Sequence, residues 1–194
     1  MQAMNAPVSA SPRIALIHAT ALSMPPIDAA FERLWPQAQR MHLLDDSLSR
    51  DRARDGGLTP AMVSRFIDLA SYAKRTGAEA ILFTCSAFGP AIEAAAQAVA
   101  IPTLKPNEAL FAQALERGRC LGLVVTFEPS LDSLAQELRE MAARRGAAIE
   151  LRTVFVPEAM QELALGRPDD HHRRIAEAAG AFGDCDAVLL GQFS

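Results

Sequence analysis

Slid along itself by 107 residues, the sequence lays one of its apolar runs on another at two separate places. RIALIHAT, residues 13–20, falls on CLGLVVTF, residues 120–127, while EAILFTCSA, 79–87, falls on DAVLLGQFS, 186–194, with acid on acid and apolar triplet on apolar triplet. One offset that fits both places without a gap marks an internal duplication. It limits the fold to two copies of one unit, which we divide as residues 13–105 and 106–194. In that register Cys85 of the first copy corresponds to Gln192 of the second.

Each unit alternates strands with helices. IALIHA (14–19) is apolar without helical period and follows Pro12, so it reads as a buried strand. Pro25-Pro26 opens a helix with Ile27, Ala30, Phe31 and Leu34 on one face, and Pro36 ends it. A strand over 40–44 leads into a polar loop, 45–57. Thr59 then caps a helix over about 60–76, with Pro60 in its first turn and Gly77 after its end. AILFT (80–84) is a strand and 90–100 an alanine-rich helix. In the second unit we expect strands at 120–125, 147–154 and 187–190, a helix over 129–145, and helical segments up to Phe182. Strands that are apolar throughout belong to parallel sheets covered on both faces, so the fold class is α/β, with two similar doubly wound (Rossmann-like or flavodoxin-like) halves. Such sheets bind ligands outside the carboxyl ends of their strands, which places a cleft between the pseudo-symmetric halves.

Composition removes several function classes. Nineteen Lys and Arg against 23 Asp and Glu give a net charge of −4, without the basic footprint of a nucleic-acid or anionic-membrane binder. No apolar run reaches the roughly 18 residues of a membrane span, and MQAMNAPVSASP lacks the features of a secretory signal, so a cytoplasmic protein is expected. Three cysteines, Cys85, Cys120 and Cys185, do not form a disulfide framework. The adjacent His171 and His172 lack the i, i+4 spacing of a helical metal pair and read with Asp169 and Asp170 as a solvated helix start; no metal site and no cofactor is expected. The only Gly-rich stretch, DGG at 55–57, has neither GxGxxG nor a P-loop lysine. The alanine face of 91–98 offers a homodimer contact or simply packs on the sheet.

The residues expected at the strand ends carry the chemistry. Cys85 lies between the strand AILFT and a helix, where free N–H groups and the positive helix end favour a thiolate; a buried cysteine also serves as a small hydrophobe. The amides of Ser86, Ala87 and Phe88, with Thr84, form a candidate cradle for a carboxylate or enolate oxygen. His18 and Thr20, then Asp45, then Thr126 and Ser130, and finally Gln192 and Ser194 fall at equivalent strand ends. His18 reads as an acid-base group or as a hydrogen-bonded core imidazole, and Thr126 and Ser130 as substrate ligands or helix caps.

TCSA at 84–87, GLVVTFEPS at 122–130, the closing strand with Gly191 and the 107-residue duplication together resemble the aspartate/glutamate racemase superfamily, which includes hydantoin racemases, maleate isomerase and arylmalonate decarboxylase. The resemblance implies cofactor-independent acid-base chemistry at the carbon alpha to a carboxylate of a small amino or dicarboxylic acid. Racemases of this superfamily use one cysteine from each half. Cys85 matches the first, and Gln192 stands in place of the second, where a carboxamide has no proton to exchange near neutrality. Besides racemisation, a one-cysteine decarboxylase or cis–trans isomerase and a non-catalytic binder of small anions remain open. The implied site is Cys85, Gln192 and His18 for catalysis, with Thr20, Asp45, Thr84, Ser86, Ala87, Thr126 and Ser130 binding the substrate.

Overall fold

The structure, a computed structural model, describes residues 11–192; the polar tail up to residue 10 and Ser194 lie outside them. In chain order it runs β1 (Arg13–His18), α1 (Met24–Leu34), β2 (Gln39–Leu44), α2 (Leu48–Asp55), α3 (Pro60–Arg75), β3 (Ala80–Phe83), α4 (Gly89–Val99), β4 (Thr103–Leu104), α5 (Glu108–Arg117), β5 (Cys120–Val125), α6 (Leu131–Arg144), β6 (Glu150–Phe155), α7 (Pro157–Ala164), α8 (Pro168–Gly180) and β7 (Ala187–Leu190). All strand pairings among these residues are parallel. They form two sheets, ordered β2-β1-β3-β4 and β6-β5-β7. The triplets β2-β1-β3 and β6-β5-β7 are the same arrangement, and the offset of 107 carries β1 onto β5 and β3 onto β7 end to end. It also carries a single 3₁₀ turn, Ala21–Ser23, onto another, Glu128–Ser130, and the start of α1 onto that of α6.

The expected α/β class and both-face cover follow from alternation along each strand. On β1, Ala15 and Ile17 point into a core with Met62, Phe66 and Ala70 of α3 and Ala91, Ile92 and Ala95 of α4. Ile14 and Leu16 point the opposite way, onto Ile27 and Phe31 of α1. On β5, Leu121, Leu123 and Val125 meet Leu134 and Leu138 of α6 and Phe111 of α5. On its other face Val124 meets Ala159 of α7 and Phe182. Gly122 is required beside that ring, because a Cβ there would stand 2.5 Å from Phe182 Cγ. Thr59 caps α3 through the Met62 amide, and Gly77 follows its end at φ +87°.

Two expectations change and one open reading is decided. The stretch 45–57 contains α2, whose polar surface conceals it, since its helical spacing buries Leu48 alone. The alanine face is turned inward, with Ala91 and Ala95 buried in the chain's own core. His171 is not solvated; it is fully buried, with Nδ1 2.8 Å from the Ala159 carbonyl, joining α8 to α7. No described helix is long and apolar enough to cross a membrane.

Phe66 packs against Phe83, at the end of β3, and against Phe88, with ring centroids 5.2 and 4.9 Å apart. This trio fixes both ends of the 84–88 loop. Phe66→Ala is therefore expected to cost about 3–5 kcal/mol, measured by denaturant unfolding, and to speed hydrogen exchange at Ser86 and Ala87 more than in the second sheet.

Candidate active site

Where the carboxyl ends of the strands face each other, a cavity of about 150 Å³ opens between the two sheets. The first half supplies Ala19, Thr20, Leu22 and Ser23 after β1, Ser49 of α2, and the whole loop from Thr84 to Phe88 after β3. The second supplies Pro106 and Asn107 before α5, Phe127 after β5, Met160 of α7, and Gly191 and Gln192 after β7. Arg52 of α2 ties the halves, with its guanidinium 5.4 Å from the centre of the Phe88 ring and one nitrogen 3.4 Å from the Pro129 carbonyl. Among the residues lining the cavity, Cys85 is the one ionisable side chain. A wider groove of about 390 Å³ on the other side of the Ala87 loop is lined instead by charged groups, with Lys105 already paired to Glu93 and Glu137. The cysteine and the hydroxyls single out the first cavity.

Cys85 does not carry the thiolate that its place in the sequence led us to expect. Burial pushes its thiol from 9.0 up to about 12, against the opposing pull of backbone hydrogen bonds at Ala19 and Thr84. The reason is distance. α4 begins at Gly89, four residues on, and the helix-end field fades within a turn. The amides of Ser86 and Ala87 meet no acceptor among the described residues, so they are available to an anion in the cavity. Thr84, Ser86 and Ala87 line the cavity as expected, and Thr20 lines it while also accepting the Leu22 amide at 3.3 Å.

Gln192 lies across the cavity in a fixed pose. Its Oε1 accepts from the Thr126 amide at 2.7 Å and the Thr126 hydroxyl at 3.0 Å, and its Nε2 donates to Ser130 Oγ at 2.7 Å. Ser130 in turn donates to the Phe127 carbonyl at 2.7 Å. Thr126 and Ser130 are buried and do not line the cavity: they hold Gln192, and the expectation that they bind substrate is corrected. Asn107, missed in the sequence, donates to the Gly191 carbonyl at 3.4 Å and anchors the same loop. A Cβ at Gly191 would meet Leu134 at 2.8 Å, so the loop can lie this close to α6 only with glycine there.

Two further expectations fail on geometry. Asp45 is turned away from the cavity into an ion pair with Arg65, and its carboxyl is held below the usual carboxylate range by hydrogen bonds from Ser47 and Arg65 that outweigh its partial burial. His18 is fully buried and does not line the cavity, and burial, with His42 beside it, lowers its pKa to about 4. Cys120 and Cys185 lie against each other away from the cavity, and the hydrogen bond that the Cys120 thiol donates to Cys185 raises its pKa to about 11. Ser23, Ser49, Phe127 and Met160 complete the walls; of these only Ser23, just ahead of Met24-Pro25-Pro26, stood at a readable helix start.

Comparison with known proteins places this arrangement. The family model Asp/Glu/Hydantoin racemase matches residues 14–192. The chain belongs to that family. No curated protein matches it significantly. Among solved structures, an aspartate racemase from Picrophilus torridus superposes with a TM-score of 0.64 at 11% identity, over 94% of this chain and 81% of that one. A putative Asp/Glu racemase from Yersinia pestis gives 0.62 at 17% identity, covering 93% and 85%. A sulfate-associated variant of arylmalonate decarboxylase gives 0.55 at 21% identity, covering 92% and 77%. These likenesses establish the shared fold. Among the described residues no group of three or more His, Cys, Asp or Glu is placed to hold a metal ion.

A thiol near 12 stays protonated at neutral pH. Alkylation of Cys85 by iodoacetamide, followed by mass spectrometry, is accordingly expected to accelerate steadily from about pH 7 to about pH 11. A plateau below about pH 9 would instead reveal a thiolate already formed.

Proposed function

We propose that this family member is a cofactor-independent enzyme that works at the carbon alpha to a carboxylate of a small acid, with Cys85 delivering a proton to one face. The observation that carries this reading is the placement of the Cys85 thiol in the cavity wall beside the unpartnered amides of Ser86 and Ala87. The amides hold the carboxylate and take up the charge that spreads onto it as the alpha carbon becomes carbanionic. Gln192 has one N–H left over after its bonds to Thr126 and Ser130, enough to donate to the substrate but not to act as acid or base.

The finer choice is between two-faced racemisation and one-faced decarboxylation, and the cavity favours the second. Racemisation removes a proton on one side and returns one on the other, and the second half contributes no acid or base to the cavity lining, only the carboxamides of Asn107 and Gln192 as its polar side chains. In the favoured reaction the bond from the alpha carbon to one carboxylate breaks and carbon dioxide leaves. The electron pair stays on carbon as an enolate of the remaining carboxylate. The Cys85 S–H then protonates that carbon, and the thiolate recovers its proton from water. A thiol with a raised pKa is the right donor for so basic an acceptor. The walls made by Leu22, Phe88, Phe127 and Met160 give a departing carboxylate no counter-charge, which destabilises the substrate and is relieved as neutral carbon dioxide forms. The same lack of counter-charge disfavours the ammonium group of aspartate or glutamate, so an acid with an apolar body fits better than an acidic amino acid.

Screening substituted malonates against aspartate and glutamate tests this directly. Turnover of a malonate in D₂O is expected to release carbon dioxide and leave one deuterium in one configuration, and Cys85→Ser to lower the rate about 10²–10⁴-fold. A racemic deuterated product from aspartate or glutamate would restore the racemase reading. Thermal stabilisation by the same acids without any turnover would mark an anion binder instead.

A further inference from the structure

A line of polar side chains runs from the surface of the first half to the cavity wall, and the mechanism above does not use it. Asp28 of α1, partly exposed, has Oδ1 3.2 Å from His42 Nε2 on β2. His42 Nδ1 is 3.0 Å from His18 Nε2 on β1, and the two rings are within 13° of parallel with centroids 5.2 Å apart, as two imidazoles joined edge to edge must be. His18 Nδ1 then lies 2.8 Å from Thr84 Oγ1 and 3.0 Å from Ser23 Oγ, both of which line the cavity next to Cys85.

Counting hydrogens along the line leaves two arrangements. With His42 neutral, its Nε2–H donates to the Asp28 carboxylate, so His42 Nδ1 accepts from His18 Nε2–H. His18 Nδ1 is then an acceptor; with the Ser23 hydroxyl donating to the Thr20 carbonyl at 3.0 Å, the nearer Thr84 hydroxyl spends its one hydrogen on it. With His42 protonated, both of its nitrogens donate. His18 must shift to the Nδ1–H tautomer and donates to Thr84 Oγ1, which releases the Thr84 hydrogen; the acceptors within its reach are the neutral Ser23 Oγ at 2.9 Å, whose own hydrogen goes to the Thr20 carbonyl at 3.0 Å, and the Ile17 carbonyl at 3.4 Å, and an anion in the cavity is a stronger acceptor than either. His18 passes the change on without gaining charge, because its burial keeps it neutral. The groups that face His42 are Asp28 from α1 and His18 from β1, with Arg40 on its own strand bound 3.0 Å from the same Asp28 carboxylate and 3.4 Å from Glu32.

We propose that Asp28, His42 and His18 form a positioning relay: protonation of His42 reverses this line of hydrogen bonds and turns the Thr84 hydroxyl into a donor toward an anion seated beside Cys85. The proposal rests on the reading that a carboxylate occupies this cavity, and it makes anion capture and proton uptake at a site two side chains away one linked event.

Two measurements on the full-length protein test it. Nitrogen-15 spectra of the histidines, which distinguish imidazole tautomers, recorded between about pH 8 and about pH 5.5, are expected to show His18 pass from Nε2–H to Nδ1–H as His42 takes up its proton. His42→Gln is expected to abolish that change, and Asp28→Asn, which takes the carboxylate from His42, to displace it to lower pH. A His18 tautomer that stays the same across the range overturns the relay. The second measurement compares Cys85 alkylation by iodoacetate and by iodoacetamide, since their ratio cancels the thiolate fraction. The ratio is expected to rise about tenfold as pH falls through this window, as one hydrogen bond to the charged probe is gained. It should be flat in His42→Gln and Thr84→Val and unchanged from wild type in His172→Gln. A ratio favouring iodoacetate at every pH but flat in the wild type removes the relay and leaves the anion site; a ratio that never favours iodoacetate removes the anion site itself.

Discussion

Two parallel sheets that turn the carboxyl ends of their strands toward each other leave the unpaired amides of Ser86 and Ala87 beside a space walled mostly by carbon, and what happens to Cys85 follows from that setting. No charged side chain lines the cavity, and burial keeps the proton on the thiol while the amides beside it stay open to an anion. In the reaction we propose, the desolvation that denies Cys85 a resting thiolate keeps its proton in place for a carbanion, and a carboxylate substrate would lean on the few dipoles available. Acid strength and substrate preference are thus two outcomes of one environment.

The duplicated unit has been put to different uses in its two copies. The offset that aligns β1 with β5 also aligns Ser23 with Ser130 and Cys85 with Gln192. In the second copy Ser130 and Thr126 lock a carboxamide in place. In the first, Ser23 and Thr84 surround the imidazole of His18, whose counterpart in the second copy is the aliphatic Val125. One half holds a carboxamide fixed in the wall, and the other sets a hydrogen-bonded pair of imidazoles behind its wall. A pseudo-symmetric fold therefore carries an asymmetric site, in keeping with proton delivery from one face.

Much of the candidate site was readable in the order of residues. Thr84, Cys85, Ser86 and Ala87 line the cavity because they end a central strand, and that position follows from the apolar run 80–83 alone. Thr126, Ser130 and Asp45 also end strands, but their side chains turn to Gln192 and to Arg65, and nothing local foretells a partner 62 residues away or 20 residues away. Ser49 and Met160 were hidden for a related reason: they sit on helices whose cavity-facing side is defined by the opposite half.

What the sequence by itself determined is the repeat: hydrophobic period and proline and glycine placement are local properties, and they set the strands, the helices, the α/β class and the register that matches Cys85 with Gln192. The tertiary structure alone decided the protonation and direction of the groups at those positions. Desolvation of Cys85, the closure of Gln192 between Thr126 and Ser130, and the line from Asp28 to Thr84 each depend on distances between segments far apart in the chain, and electrostatic and hydrogen-bond energies are functions of those distances rather than of sequence order.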